Sequence, residues 1–464
     1  MKKTFIRIMC MLIAIVMVMT VAACGENATN PIKLNGDKAS SQTGTNSGIK
    51  IEWNKPESMV GANGKDYSDY NPYEGIEKYK GTTVKFATWT DHSQTEGALP
   101  IKQFKEKYDI NVELVYCSQD KYVEEILALI AANNAPDIFV ENQTFPVTLQ
   151  IAQEISAAKL DLNEPIWDKQ VINACTVGNK VYAVNTMNGP WNGSGIVIFN
   201  RELMEANGIK TPEEYYNEGN WTWDTMTEVM EQVDKLGSDF YGGSIPDVNE
   251  LYSSLGADIF SYDSANGKFA NTLTDANVVK AFQYVANGWK SGLLTEQEKF
   301  KAGKVGLIIK STYGLKKTGY FKDMDALDLG FTYLPDMDEK TKAKHGGSLR
   351  AYGIVKGSKN PEAAGMFIRY FLDSANYDLG DTFVSEEAGE FYFDLLEKMY
   401  TESKSENRTF NYAGVAGMTG ESIWGWTYPA QICDPAQCSA TLATKNNNCN
   451  AAVNKANELL AKMK

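Results

Sequence analysis

From Thr83 to Val140 the chain alternates between two hydrophobic periods, and that alternation narrows the possible folds more than any other feature of the sequence. Thr83 to Ala87 is a short β-type run, Ile101, Phe104 and Tyr108 recur at helical spacing, and Ile110, Val112 and Leu114 alternate as a strand. Tyr122, Ile126, Leu129 and Ile130 mark a second helix, and after Ala135-Pro136 the stretch Asp137 to Val140 is a third strand. This βαβαβ order favours a parallel sheet with helices on both faces. Further strands are predicted at Val181 to Val184 and Ile196 to Phe199, separated by the irregular, Gly-rich and aromatic stretch Asn185 to Gly195.

A second unit of the same kind follows. Thr222 is placed to cap a helix whose stripe is Met226, Val229, Met230, Val233 and Leu236, with Gly237 as its stop. Val278, Val279, Phe282, Val285 and Trp289 form another helix, and Val305 to Ile309 and Phe331 to Leu334 are strands. Asn360-Pro361 is a helix start, with Ala363, Phe367, Tyr370 and Phe371 as the buried face. No periodic repeat or glycine-rich phosphate loop is present.

The first 24 residues set the compartment. Lys2, Lys3 and Arg7 precede an apolar run, Ile8 to Ala23, of the length of a signal-peptide core. The closing Val21-Ala22-Ala23-Cys24 resembles the bacterial lipoprotein signal, which implies diacylation of Cys24 and a mature protein tethered outside the cytoplasm. Gly25 to about Asn54 is poor in large apolar residues and is expected to be a flexible leash. Tyr67, Tyr70, Tyr73 and Tyr79 then return without a sustained period, as an irregular lead-in packed on the domain surface.

The body from Gly81, about 385 residues, exceeds what one core usually organises, so two lobes are expected. Losing the leader takes the net charge from -14 to -17, which argues against nucleic acid or an anionic membrane surface as partner. Of seven cysteines, Cys10 leaves with the leader and Cys24 is taken by lipid. Cys433 and Cys438 are near enough for a local bridge, with Cys449 as rival partner, while Cys117 and Cys175 are expected to be buried small hydrophobes. The spacing matches no zinc pattern, and no metal or cofactor is expected.

The order of the pieces resembles a known family, the type 1 extracellular solute-binding proteins of ABC importers, the group that includes maltose-binding protein. The resemblance rests on Thr88-Trp89-Thr90-Asp91, Asn134-Ala135-Pro136-Asp137-Ile138-Phe139 and Gly178-Asn179-Lys180-Val181-Tyr182-Ala183-Val184. It continues through Ile198-Phe199-Asn200-Arg201-Glu202-Leu203, Trp221-Thr222-Trp223-Asp224, Ala302-Gly303-Lys304-Val305-Gly306-Leu307 and Gly357-Ser358-Lys359-Asn360-Pro361-Glu362-Ala363-Ala364. It implies an α/β, two-lobe periplasmic-binding-protein-like fold of type II, each lobe a mainly parallel sheet flanked by helices, joined by three crossings. The expected partition is 1–23 signal peptide, 24–71 tether and lead-in, 72–190 plus 351–404 first lobe, and 191–350 plus 405–464 second lobe.

The resemblance also implies a function: a lipid-anchored, monomeric receptor on the extracytoplasmic face of a bacterial membrane, closing around a carbohydrate and presenting it to ABC permease subunits. Sugars need flat aromatic faces and polar groups for hydroxyls, and the chain has 9 Trp and 24 Tyr. The positions matching family ligand loops are Trp89 and Asp91, Glu141, Asn142 and Gln143, Trp191 and Asn192, Tyr313, Arg350, and Trp424 with Trp426. Trp221 and Trp223 flank a helix start and are read as packing. Asp91, Glu141 and Arg350 are equally suited to pairing with one another, and His92 is read as an exposed loop residue.

Glu141 stands where the maltose-type pattern has an aromatic, and Gly193 where it has a carboxylate, so maltose specificity does not carry over. An oligosaccharide is favoured. A polyol, a uronate-containing glycan held through Arg350, or a non-sugar solute stays open. With two histidines and no nucleophile motif, serine- or cysteine-type hydrolysis is not expected. A glycan-cleaving carboxylate pair is the remaining enzymatic alternative.

Overall fold

The computed structural model describes residues 58–187, 189, 193–317, 319–321, 328–378, 382–403, 408–420 and 435–463. Its strands are β1 Thr83–Thr88, β2 Asn111–Tyr116, β3 Ile138–Asn142, β4 Ala152–Gln153, β5 Thr176–Val177, β6 Lys180–Val181, β7 Gly195–Asn200 and β8 Tyr241–Ser244. They continue as β9 Phe260–Asp263, β10 Lys268–Asn271, β11 Val305–Ser311, β12 Leu329–Tyr333, β13 Gly347–Ser348, β14 Arg350–Val355 and β15 Phe410–Asn411. The helices of seven residues or more are α1 Ala98–Tyr108, α2 Tyr122–Ala131, α3 Trp223–Asp234, α4 Val248–Ser254, α5 Ala276–Ser291, α6 Pro361–Phe371, α7 Glu386–Ser403 and α8 Cys438–Met463.

Two sheets carry two lobes. The first has the order β2-β1-β3-β14-β4 and the second β12-β7-β11-β8. The expected βαβαβ unit is present, with β1 parallel to β2 from Thr83↔Asn111 to Thr88↔Tyr116 and parallel to β3 at Phe86↔Ile138. Both sheets are nevertheless mixed. β14 runs antiparallel to β3 (Ala351↔Glu141), and β7 antiparallel to β11 and β12 (Ile198↔Ile308, Ile198↔Phe331). The reason is the crossing itself: a strand that has just come over from the other lobe enters its new sheet from the shared edge. It therefore runs against strands whose C-terminal ends point at that edge.

The crossings lie side by side. Ser194 bridges Gly347, and β13 pairs with β15 at Gly347↔Phe410 and Ser348↔Asn411. Gly347 is needed here, because a Cβ at this position would sit 2.5 Å from the carbonyl oxygen of Gly193. Beyond α6 the chain returns to the second lobe earlier than the expected boundary at 404. Tyr377 packs against both cores, Lys317 N donates to Thr382 O and Val384 N to Leu315 O. The apolar face of α7 (Ala388, Tyr392, Leu395, Leu396, Met399) then shares a core with Ile196, Ile198 and Phe331 of the second sheet.

Local signals mostly hold. Thr222 caps α3 in a capping box with Thr225, and Trp221 and Trp223 are buried as packing residues, Trp221 Nε1 donating to Tyr333 O at 2.9 Å. α6 starts at Pro361, but the Asn360 side chain donates to Thr83 O instead of capping the helix. The predicted strand Val181 to Val184 shortens to β6 plus one bridge, Val184↔Tyr352. Under the first sheet an aromatic cluster forms, with Phe104 against Phe367 at 5.1 Å and Phe86 against Phe371 at 5.6 Å. The lead-in is bound to this lobe through Tyr67, which is 1% exposed and donates to Asp161 Oδ2 at 2.7 Å.

Cys117 and Cys175 are buried, and burial pushes the Cys117 thiol up to about 11, so both behave as inert small side chains. Cys438 and Cys449 lie on the buried face of α8, while Cys433 falls outside the described residues, as does Cys24.

Candidate functional site

In an open α/β sheet, ligands bind outside the carboxyl ends of parallel strands. In the first lobe that edge carries Trp89 after β1, Tyr116 ending β2, Asn142 ending β3 and Arg350 opening β14. It is also the edge from which the crossings depart. Tyr122 holds the two central strands together there: its hydroxyl donates to Ala87 O at 2.8 Å and accepts from Val140 N at 2.9 Å. Trp89 stands edge-on to Tyr122, with ring centroids 4.9 Å apart. Arg350 places its guanidinium 5.4 Å from the Trp89 ring centroid, and its Nη1 donates to Asn142 Oδ1 at 3.4 Å. Trp89, Asn142 and Arg350 are thus brought together as one surface.

Asp91 is exposed beside them and caps a short 3₁₀ turn, His92–Gln94. Its Oδ1 accepts from Ser93 N at 3.0 Å, Ser93 Oγ at 2.5 Å and Tyr116 Oη at 2.8 Å, and these bonds, led by Ser93, hold the carboxyl below its ordinary range. The same turn carries His92 inward, contrary to the expected loop exposure. His92 is fully buried, stacked on Phe86 at 5.5 Å and edge-on to Phe371 at 5.4 Å, and burial lowers its pKa to about 4. A neutral histidine packed between Phe86 and Phe371, with the hydroxyls of Thr88 and Thr95 at its ring nitrogens, is a packing group.

Two further expectations are corrected, Glu141 by strand register and Gln143 by the left-handed turn that follows β3. Side chains alternate along a strand, so Asn142 and Glu141 leave β3 on opposite faces. Glu141 is fully buried. It accepts from Thr144 N at 2.6 Å, Phe145 N at 2.8 Å and the hydroxyls of Thr144 and Thr148. It fastens the loop after β3 and presents nothing to a ligand. Gln143 adopts φ +62° and is 6% exposed, its N donating to Leu349 O and its O accepting from Gly414 N. Gln143 therefore ties the crossings to the first lobe.

The second lobe offers Tyr313, which is 55% exposed in the turn after β11, next to the first crossing through Thr312 N donating to Ser194 O. Lys310 and Asp247 pair at 3.3 Å on the same lobe. Trp191, Asn192, Trp424 and Trp426 lie outside the described residues.

Sequence reasoning missed Tyr116, Asp247, Lys310 and the pair Glu96–Lys316, which joins the lobes at 2.7 Å. Tyr116 was within reach of it: it continues the Val112, Leu114 alternation to the C-terminal end of a parallel strand. The Glu96 and Lys316 positions carried no such signal, because their contact exists only between lobes.

Two mixed sheets joined by adjacent crossings, with polar and aromatic groups at the facing strand ends, define a two-lobed solute-binding protein. A family model for bacterial extracellular solute-binding proteins matches residues 88–378, and the chain belongs to that family. Similar solved structures include an ABC substrate-binding protein of Listeria monocytogenes in complex with cycloalternan (15% identity, TM-score 0.58, 80% of this chain and 99% of that one). The GacH receptor of Streptomyces glaucescens, solved unliganded and with acarbose, is similar at 16% identity and TM-score 0.58 over 79% of this chain and 98% of that one. The maltose-maltodextrin binding protein of Alicyclobacillus acidocaldarius is similar at 14% identity and TM-score 0.56 over 79% and 100%. No curated protein matches the sequence significantly. The family binds solutes and is not enzymatic. Among the described residues no helix is long and apolar enough to cross a membrane, and no group of three or more His, Cys, Asp or Glu side chains is arranged to hold a metal ion.

Proposed function

We propose that the protein is a lipid-anchored receptor, held through Cys24 on the extracytoplasmic face of a bacterial membrane, that delivers an oligosaccharide to an ABC importer. The observation that carries the reading is the surface formed by Trp89, Arg350 and Asn142 at the crossing edge of the first lobe. An indole backed by Tyr122 offers an apolar face for a pyranose ring, and the guanidinium and amide beside it match vicinal hydroxyls. The Listeria and Streptomyces relatives were solved with cycloalternan and acarbose, which supports a glycan here. A ligand touching both lobes stabilises only the form in which both sets of contacts are made, and that closed monomer is what the permease subunits receive. Tyr313 and, by resemblance, Trp191, Asn192, Trp424 and Trp426 complete the contacts.

Thermal unfolding of residues 25–464 against oligosaccharides, monosaccharides, uronates and small polar solutes tests this. A ligand at 100 times its Kd is expected to add about 2.7 kcal/mol. Trp89→Ala is expected to weaken glycan affinity about tenfold or more, with the ligand-induced shift read against the variant's own ligand-free melting temperature, which falls because Trp89 packs on both buried clusters. A shift with a non-carbohydrate solute and none with any glycan would replace the substrate class. Arg350 gives a second reading its basis: a uronate-bearing glycan, whose carboxylate a guanidinium can take in bidentate fashion, would shift the protein more than its neutral counterpart.

A further inference from the structure

We infer that Tyr116 and Asp91 form an outer sugar subsite on the first lobe, and hence that the ligand is an extended glycan that reaches from Arg350 to the far flank of the sheet. The inference rests on the oligosaccharide reading above and adds a length to it. Tyr116 ends β2, the flank strand of the sheet order β2-β1-β3-β14-β4, so it lies at the lip of the strand-end edge, with Arg350 three strands away. Three strand intervals span about 14 Å, more than one pyranose ring can cover.

The chemistry at the lip is that of a carbohydrate platform. Tyr116 is 56% exposed, one of three large hydrophobic side chains to be so open among the described residues. Its hydroxyl is anchored on Asp91 Oδ1 at 2.8 Å, and Asp91 is fixed in turn by Ser93 N and Oγ. An exposed phenol ring pinned at its polar end keeps its apolar faces in a fixed orientation without burying them, which favours stacking at little further cost in side-chain entropy. The carboxylate supplies the polar half of the site. Its Oδ2 takes part in no hydrogen bond within the described residues, so it can accept from a sugar hydroxyl while Oδ1 holds the ring. Of the other two open side chains, Val60 belongs to the lead-in, and Tyr313 stands on the second lobe beside the first crossing. The two exposed tyrosines among the described residues are thus one to a lobe, Tyr116 at the flank of the first sheet and Tyr313 beside the first crossing.

Isothermal titration with α-1,4-glucan, β-1,4-glucan, xylan and mannan oligomers of two to six rings separates the outcomes. The parent protein is expected to bind one series with affinity rising from two rings to three or four. Tyr116→Ala is expected to lower affinity about tenfold for oligomers of three rings and more and less than twofold for the two-ring member. Tyr116→Phe, which keeps the ring, should retain most of the gain, and Asp91→Asn should lose part of it. An equal loss at every length, or none, would overturn the subsite while leaving the oligosaccharide reading in place. Failure of the parent protein to bind any oligomer of the panel would remove both.

Discussion

Replacing Glu96 with glutamine is expected to destabilise the ligand-free protein by about 3–5 kcal/mol, the cost of removing one partner of a buried ion pair. Glu96 Oε1 lies 2.7 Å from Lys316 Nζ, and the two side chains are 4% and 5% exposed. Burial already pulls the Lys316 ammonium below its ordinary pKa, with Glu96 opposing that pull and Arg350 adding to it. Without the carboxylate the desolvation remains and the part of its compensation that Glu96 supplies is lost. Lys316→Met should cost about the same, whereas the double variant Glu96→Gln/Lys316→Met is expected to recover most of the loss, because a neutral pair carries no buried charge. Urea unfolding followed by tryptophan fluorescence measures all three. Single variants within about 1 kcal/mol of the parent would mean that water reaches the pair. Since Glu96 stands before α1 in the first lobe and Lys316 after β11 in the second, the penalty falls on the contact between lobes.

The second large effect is a dependence on pH. Glu250 sits in α4, every residue of which is buried, with Asp247 nearby, Asn249 Nδ2 donating to it at 3.3 Å, and Lys310 as the opposing cation. Burial, then Asp247, pushes its pKa from 4.5 up to about 8. A carboxyl whose pKa is raised in the folded state holds a proton there that the unfolded chain releases. Its stabilising contribution is complete below about pH 4.5 and is lost as pH rises through about 8. From pH 5 to pH 8 the loss should be about 4 kcal/mol for this group. Glu250→Gln keeps the shape and cannot ionise, so thermal melts at pH 5, 6.5 and 8 should show a flatter profile for the variant and a more stable variant at pH 8. Glu141 and Asp258, raised to about 7 and about 8 by burial, titrate in the same window but remain in both proteins, so the difference belongs to Glu250. Parallel profiles would show that Glu250 ionises freely in the fold.

Much of the architecture was legible because each of its signals is local. The alternation at Ile110, Val112 and Leu114, the helical spacing of Ile101, Phe104 and Tyr108, and the cap at Thr222 depend on residues a few positions apart, and the structure returns β2, α1 and α3 in those places. Trp89, Asn142 and Arg350 were also within reach, as residues flanking strand ends. His92 and Glu141 were misread for one shared reason. Each lies one residue from a surface group, His92 beside Asp91 and Glu141 beside Asn142, and which neighbour turns inward depends on a turn or on strand register. A polar side chain looks the same in sequence whether it meets water or four buried donors.

The sequence by itself determined the alternation of strand and helix, the acidic balance and the family, because hydrophobic period, charge and motif order are properties of the chain. Only the tertiary structure decided that both sheets are mixed, that α7 belongs with the second lobe, that Glu96 meets Lys316 and that Tyr116 lies at the open end of the strand-end edge. Those facts arise where the chain crosses between lobes and reverses direction. Groups hundreds of residues apart, such as Glu96 and Lys316, come into contact there, and no local pattern encodes that contact.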